Sequence, residues 1–157
     1  MINYLLISRS KHWPARFKKI SIIIEKILKY KKDMKFSNNF YYDCNIILVN
    51  NKLITKINRD FRKKNYATDV LTFVSEIKMK NNKEKKICDI FFSAEIIEKD
   101  AKKNKISFYN HLTHLIVHSF LHINGFSHNK IVEFKKMKKI EIMILNKMKI
   151  NNPYIIN

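Results

Sequence analysis

"HSFLHINGFSH" runs from His118 to His128 and holds Gly125, the only glycine among 157 residues. Its histidines follow the spacing H-x3-H-x2-G-x2-H. In a helix from Ser107 to Ile123, His118 and His122 lie one turn apart, with Cβ atoms about 5–6 Å from each other. A zinc ion with Zn–N bonds of about 2.0–2.1 Å and tetrahedral geometry sets two donor nitrogens roughly 3.3 Å apart, which such a pair can reach. A helix alone cannot bring a third ligand from the remaining direction, so the chain has to turn. Gly125 can take the left-handed conformation that ends a helix without a Cβ penalty, and His128 then returns toward the pair. The predicted metal ligands are therefore His118, His122 and His128, holding one ion of Zn2+. Imidazole also suits nickel, copper and iron. Three protein nitrogens leave a fourth position open, which favours catalysis over a structural role.

Two more histidines share this stripe. His114 and His111 lie one and two turns before His118 and either line the cleft, contact substrate or are solvated; neither is placed in the ligand set. The pattern resembles the helix of H-E-x-x-H zinc peptidases, whose Glu activates water. Ser119 stands where that Glu belongs, and a hydroxyl is no base at neutral pH. A peptidase reading keeps its metal scaffold and loses its proton acceptor.

Outward from this block, elements mix without strict alternation. "INYLLI" (2–7), "CNIILV" (44–49), "DVLTFVS" (69–75) and "ICDIFFS" (87–93) read as strands, rich in β-branched and aromatic residues. From Pro14, suited to a first helical turn, Phe17, Ile20, Ile24, Ile27 and Leu28 recur at helical spacing. Asn50 is placed to cap a second helix that buries Leu53, Ile54, Ile57 and Phe61. Ser93 and Ser107 are placed to cap two more, the first running through Lys99 or beyond. A last helix, Ile131 to Met148, buries Phe134, Met137, Ile140, Ile144 and Met148. "EIKMKNNKEKK" (76–86) reads as a solvated, mobile connection. This order predicts an α+β fold, and the absence of repeats or linkers predicts a single domain over residues 1–157.

Composition bounds the partners. The formal charge is +19, from 32 Lys and Arg against 13 Asp and Glu, and phosphate polymers are the commonest partners of so basic a surface. Only four of the basic residues are arginine, and Lys, Asn and Ile abound everywhere, the bias an A/T-rich genome imposes on any protein. Charge alone therefore points only weakly to RNA. Cys44 and Cys88 form no C-x-x-C pair, which indicates two buried thiols in a reducing compartment rather than a disulfide framework. The N-terminus places its apolar run before its basic residues, the reverse of a signal peptide. No apolar stretch approaches the roughly 20 residues that span a bilayer. The chain is expected to be cytoplasmic, with no membrane partner.

"INRDFRKKNYATDVLTFVSE" (57–76), "ICDIFFS" (87–93) and "HLIVHSFLHINGFSH" (114–128) resemble, in order, blocks of the YbeY family of bacterial endoribonucleases. The family pattern is similar to L-N-x-x-Y-R-x-K-D-x-P-T-D-V-L-S-F, then G-D-I, then H-G-x-L-H-L-x-G-Y-D-H, and "NPYI" near the end also matches. Ala67 replaces the loop proline, Cys88 the glycine before Asp89, Ser119 the glycine after the first ligand, Phe126 the tyrosine and Ser127 the aspartate before the last ligand. The resemblance implies a mixed sheet of about four strands surrounded by about five helices, with the zinc site at a helix C-terminus and the turn after it. It implies a metal-dependent endoribonuclease, specific for single-stranded RNA, that matures small-subunit (16S) ribosomal RNA and supports ribosome quality control, with the ribosome as partner. By matching position it assigns the zinc to His118, His122 and His128 and a catalytic role to Arg62. A guanidinium offers phosphate a planar fork of donors and keeps its charge. Arg59 is read as an accessory phosphate contact or a surface residue, and Asn58, Thr68 and Asp69 as residues that hold the loop. Two other readings stand beside the nuclease: a non-catalytic RNA-binding ribosome-assembly factor with a structural zinc, favoured by the charge and by Ser127, and, more remotely, a zincin-like peptidase.

Overall fold

The computed structural model describes residues 1–80 and 83–155. Along the chain come β1 (Ile2–Ser8), a 3-10 turn (Pro14–Arg16), α1 (Phe17–Leu28), β2 (Phe40–Val49), α2 (Asn51–Arg62), β3 (Val70–Lys78), β4 (Glu84–Ser93), α3 (Ala94–Lys103), α4 (Phe108–Ile123) and α5 (Ile131–Lys147). The strands form one sheet in the order β1-β2-β4-β3. β1, β2 and β4 are parallel neighbours, and β3 closes one edge antiparallel to β4. The α+β expectation holds, with a mixed sheet of four strands and five α-helices among the described residues.

Alternation explains how the sheet buries itself. Tyr42, Cys44, Ile46 and Leu48 point to one face of β2, and Cys88, Ile90 and Phe92 to the same face of β4. Register pairs Cys44 with Cys88, Ile46 with Ile90 and Leu48 with Phe92. Against this face pack Ile20, Ile24 and Ile27 of α1 and Leu112, Ile116 and Phe120 of α4. Each such side chain contributes about 1.5–3 kcal/mol when fully buried. On the other face Ile54 of α2 joins Val49 and Leu71 in a smaller cluster. α4 is the innermost helix, with apolar neighbours on most of its circumference. The histidines therefore ride on the most buried helix of the fold. Cys44 and Cys88 are free, buried thiols facing each other across β2 and β4; the contact with Cys88, and then burial, push the Cys44 pKa up.

Four local expectations are corrected. The connection 76–86 is mostly strand: Glu76 pairs with Lys86, Ile77 with Lys85 and Lys78 with Glu84, and Lys86 Nζ lies 3.1 Å from Glu76. Opposite charges facing across the ladder stabilise what composition reads as loop; residues 81 and 82 lie outside the described residues. Phe61, expected on the buried face of α2, is 72% exposed, because the last turn of that helix stands over the sheet edge, where its ring meets Phe73 at 5.4 Å between centroids. Phe134, expected in the core, lies in the first turn of α5 and is also exposed, its ring edge-on to His128. Ser93 stands at the cap of α3, yet its side chain accepts from no helix amide; its hydroxyl faces Asn51 Oδ1 at 2.6 Å and Glu95 Oε2 at 3.3 Å. Asn50 and Ser107 do cap, accepting from the Leu53 and Asn110 amides at 2.9 and 3.1 Å. Among the described residues no helix is long and apolar enough to cross a membrane.

Candidate metal centre

The last turn of α4 and the turn beyond it build the centre. α4 ends on a Schellman motif: the Phe126 amide donates to the Leu121 carbonyl at 3.2 Å, and the Gly125 amide to the His122 carbonyl at 3.0 Å. That motif needs a left-handed residue, and Gly125 has φ of +85°. The chain reverses there and brings His128 over the helix end. The Nε2 atoms of His118, His122 and His128 then form a nearly equilateral triangle with sides of 3.0, 3.1 and 3.1 Å. A tetrahedral zinc asks for donor separations of roughly 3.3 Å, so the three rings fit a small divalent ion after an outward movement of a few tenths of an ångström.

Protonation states agree with that fit. His122 Nδ1 lies 2.8 Å from the Phe126 carbonyl. A carbonyl only accepts, so Nδ1 carries the proton and Nε2 turns its lone pair into the triangle. Burial, reinforced by the charge of His118, lowers the His122 pKa to about 4. His118 Nδ1 lies 2.5 Å from Glu141 Oε1, the carboxylate–histidine arrangement that orients a metal-binding ring.

Glu141 is the residue that sequence reading missed. It is fully buried in the middle of α5, where it binds His118, His114 (Nε2 at 3.3 Å) and the Tyr154 hydroxyl. Burial alone would raise its pKa; the hydrogen bonds to His114 and His118 outweigh that and hold it at about 2. The Tyr154 phenol is pushed up, first by its own burial and then by the Glu141 hydrogen bond. A signal existed: Glu141 falls on the apolar stripe of α5 between Met137 and Ile144, and a lone carboxylate on a buried stripe needs partners. His114 faces Glu141 and stays outside the triangle.

The other singled-out residues take different places. Arg62 lies at the exposed end of α2, its Nη2 donating to the Thr72 carbonyl at 3.3 Å and its guanidinium 5.6 Å from the Phe73 ring centroid. It has no hydrogen bond to the histidine triangle among the described residues. Arg59 pairs with Asp60 at 3.2 Å on the surface. Asn58 donates to the Tyr66 carbonyl at 2.9 Å, and Asp69 accepts from the Val70 amide at 2.7 Å, so both do hold the loop. Ser119 is buried and returns its hydroxyl to the Leu115 carbonyl of its own helix at 2.8 Å. Ser127 donates to Glu133, in the first turn of α5, so a carboxylate stands beside the position where the family has its aspartate.

Comparison with known proteins bears on all of this. A family model described as Endoribonuclease YbeY matches residues 7–149. A protein named Endoribonuclease YbeY from Pelagibacter ubique is 36% identical over 145 residues, covering 92% of this chain and 94% of the relative. One of the same name from Bartonella quintana is 33% identical over 155 residues, covering 98% of each. A third, from Polynucleobacter asymbioticus, is 44% identical over 100 residues, 64% of this chain and 62% of that one. The solution structure of TM1509 from Thermotoga maritima superposes with a TM-score of 0.55 at 24% identity, over 95% of this chain and 92% of that one, which shows a common fold. By the extent of the family match and the near full-length relatives, this chain belongs to the endoribonuclease YbeY family.

Proposed function

We propose that the protein is a zinc-dependent endoribonuclease that cuts single-stranded RNA, acting in the cytoplasm on small-subunit (16S) ribosomal RNA during its maturation and in ribosome quality control. The observation that carries the reading is the triangle of three Nε2 atoms, 3.0–3.1 Å apart, in a chain of this family. His118, His122 and His128 would hold the ion. When bound there, the ion supplies Lewis acidity toward a phosphoryl oxygen. Glu141 fixes the His118 ring from the protein side, and Phe126 fixes that of His122, so both rings are aimed before substrate arrives. Arg62, exposed at the end of α2, binds phosphate and stabilises the extra negative charge that develops as the phosphodiester is attacked. Its hydrogen bond to a strand carbonyl leaves further guanidinium donors for that purpose. The basic surface, +19 in formal charge, draws the strand in.

Incubating zinc-loaded protein with a single-stranded oligoribonucleotide tests this reading. Cleavage by the parent, lost in His122→Ala and Arg62→Ala variants that keep their helical circular dichroism, is the expected result. Undiminished cleavage by both folded variants would dispose of the assignment. Ser127 in place of the family aspartate favours a second reading, a non-catalytic assembly factor whose zinc only shapes an RNA-binding surface. Chelation separates the two: protein that stays folded and still binds RNA but no longer cuts it is a nuclease, whereas joint loss of fold and binding marks a structural ion. The buried, helix-bonded Ser119 removes the peptidase base, and a parallel incubation with an unstructured peptide should leave the peptide intact.

A further inference from the structure

We propose that Asp69, Asp100 and His111 form a second site, for a divalent cation of the Mn2+ type, two helical turns along α4 from the three-histidine centre. Each donor comes from a different element: Asp69 from the loop entering β3, Asp100 from α3 and His111 from the first turns of α4. One ligand atom of each lies within 4.8 Å of the other two. The backbone explains why they meet. The Asp69 carbonyl accepts from the Ser93 amide at 2.9 Å, which ties the entry of β3 to the start of α3.

Three features separate this cluster from a chance meeting of polar side chains. His111 Nε2 is inaccessible to solvent and has no hydrogen-bond partner, a condition it shares only with Arg16 Nη1 among the described residues. A buried ring nitrogen without a partner is rare enough to call for one. Next, neither carboxylate forms an ion pair with Lys or Arg among the described residues, although the chain has 32 such cations for 13 acids. Two like charges brought together with no counter-charge gain from a cation between them. Finally, Asp69 is held in place: its Oδ1 accepts from the Val70 amide at 2.7 Å and from the Thr68 hydroxyl at 3.1 Å. Burial lowers the His111 pKa, against the pull of Asp69, so the ring is neutral near pH 7 and has a lone pair to give. Two carboxylates with one imidazole make a mixed oxygen–nitrogen set, which suits Mn2+ better than the all-nitrogen triangle does. This site is independent of what the triangle catalyses.

The experiment uses full-length protein carrying one equivalent of zinc and no free zinc, because zinc prefers the three-imidazole triangle, outcompetes Mn2+ there and closes it to the probe while the second site stays open. Mn2+ is added, and free Mn2+ is read by electron paramagnetic resonance. One Mn2+ bound per chain is expected, weakened at least about tenfold in Asp100→Asn and in His111→Gln, with Asp60→Asn, on the exposed surface, unchanged. In the parent protein, substoichiometric Mn2+ should broaden the His111 ring resonances before those of His12. No bound Mn2+, equal binding by parent and both variants, or broadening that spares His111 would each overturn the proposal. The resonance measurement decides the matter even where a variant fails to fold.

Discussion

Single residues settle whether the triangle closes. Glu141→Gln keeps the shape of the side chain and an acceptor oxygen but removes its charge, so the hydrogen bond that orients His118 is weakened. Zinc affinity, measured by chelator competition, should fall by about 10- to 100-fold with little change in helical content; an unchanged affinity would remove Glu141 from the centre. Gly125 makes a different kind of contribution. An added Cβ meets nothing within 4 Å, yet φ is +85°, so the cost of Gly125→Ala is backbone strain alone, about 1 kcal/mol. Thermal unfolding should come about 2–4 °C lower. A fall well beyond that would mean the helix end rearranges and takes His128 with it. The three histidines of the triangle and the glycine were legible from spacing because all four lie within eleven residues, where helical geometry dictates position. Glu141 was not, since its partners lie 23 and 27 positions away.

Elements are joined by a few polar ties that composition does not announce. Arg16, at the start of α1, pairs with Glu98 of α3 and lies 4.1 Å from the Phe108 ring centroid of α4. The Arg16 hydrogen bond, its largest cause, lowers the Glu98 pKa below its ordinary value of 4.5. A depressed carboxylate adds stability above its unfolded pKa and loses it as pH falls through the folded value. Glu98→Gln should therefore flatten the acid limb of a melting-temperature profile below about pH 4.5, with a loss near neutrality of no more than about 1 kcal/mol because the pair is partly exposed. An acid limb identical to the parent's would show the tie to be absent in solution. The four strands were readable from β-branched and aromatic runs, and the helices from cap residues and helical spacing. The hairpin arms of β3 and β4 were not, because Glu and Lys pair across them and hide strand behind a loop's composition.

For the whole molecule, charge is the property with the longest reach. If RNA is the partner, log affinity for a single-stranded oligonucleotide should fall linearly with log salt, by about 0.7 per phosphate contacted. Arg62→Ala should reduce that slope by roughly one contact while weakening binding to all sequences alike. A salt-independent affinity would set the basic surface aside as mere composition. Phe61, next to Arg62 in sequence, and Tyr66 are exposed, so part of the residual, salt-insensitive affinity would come from stacking, worth about 1–3 kcal/mol per base.

What the residue order determined by itself was local: the helix carrying His118 and His122, the glycine that lets it end, and the return of His128, because each follows from rise, turn and allowed φ over a few residues. Helical spacing also revealed part of the core, including Ile20, Ile24, Ile27, Ile54, Met137 and Ile144. What only the tertiary structure decided was everything that depends on distance in sequence: the strand order β1-β2-β4-β3, the carboxylate of Glu141 behind His118, the meeting of Asp69, Asp100 and His111, and the exposure of Phe61 at a sheet edge. Such contacts are set by which faces pack together, and packing is a property of the folded surface that no spacing of residues encodes.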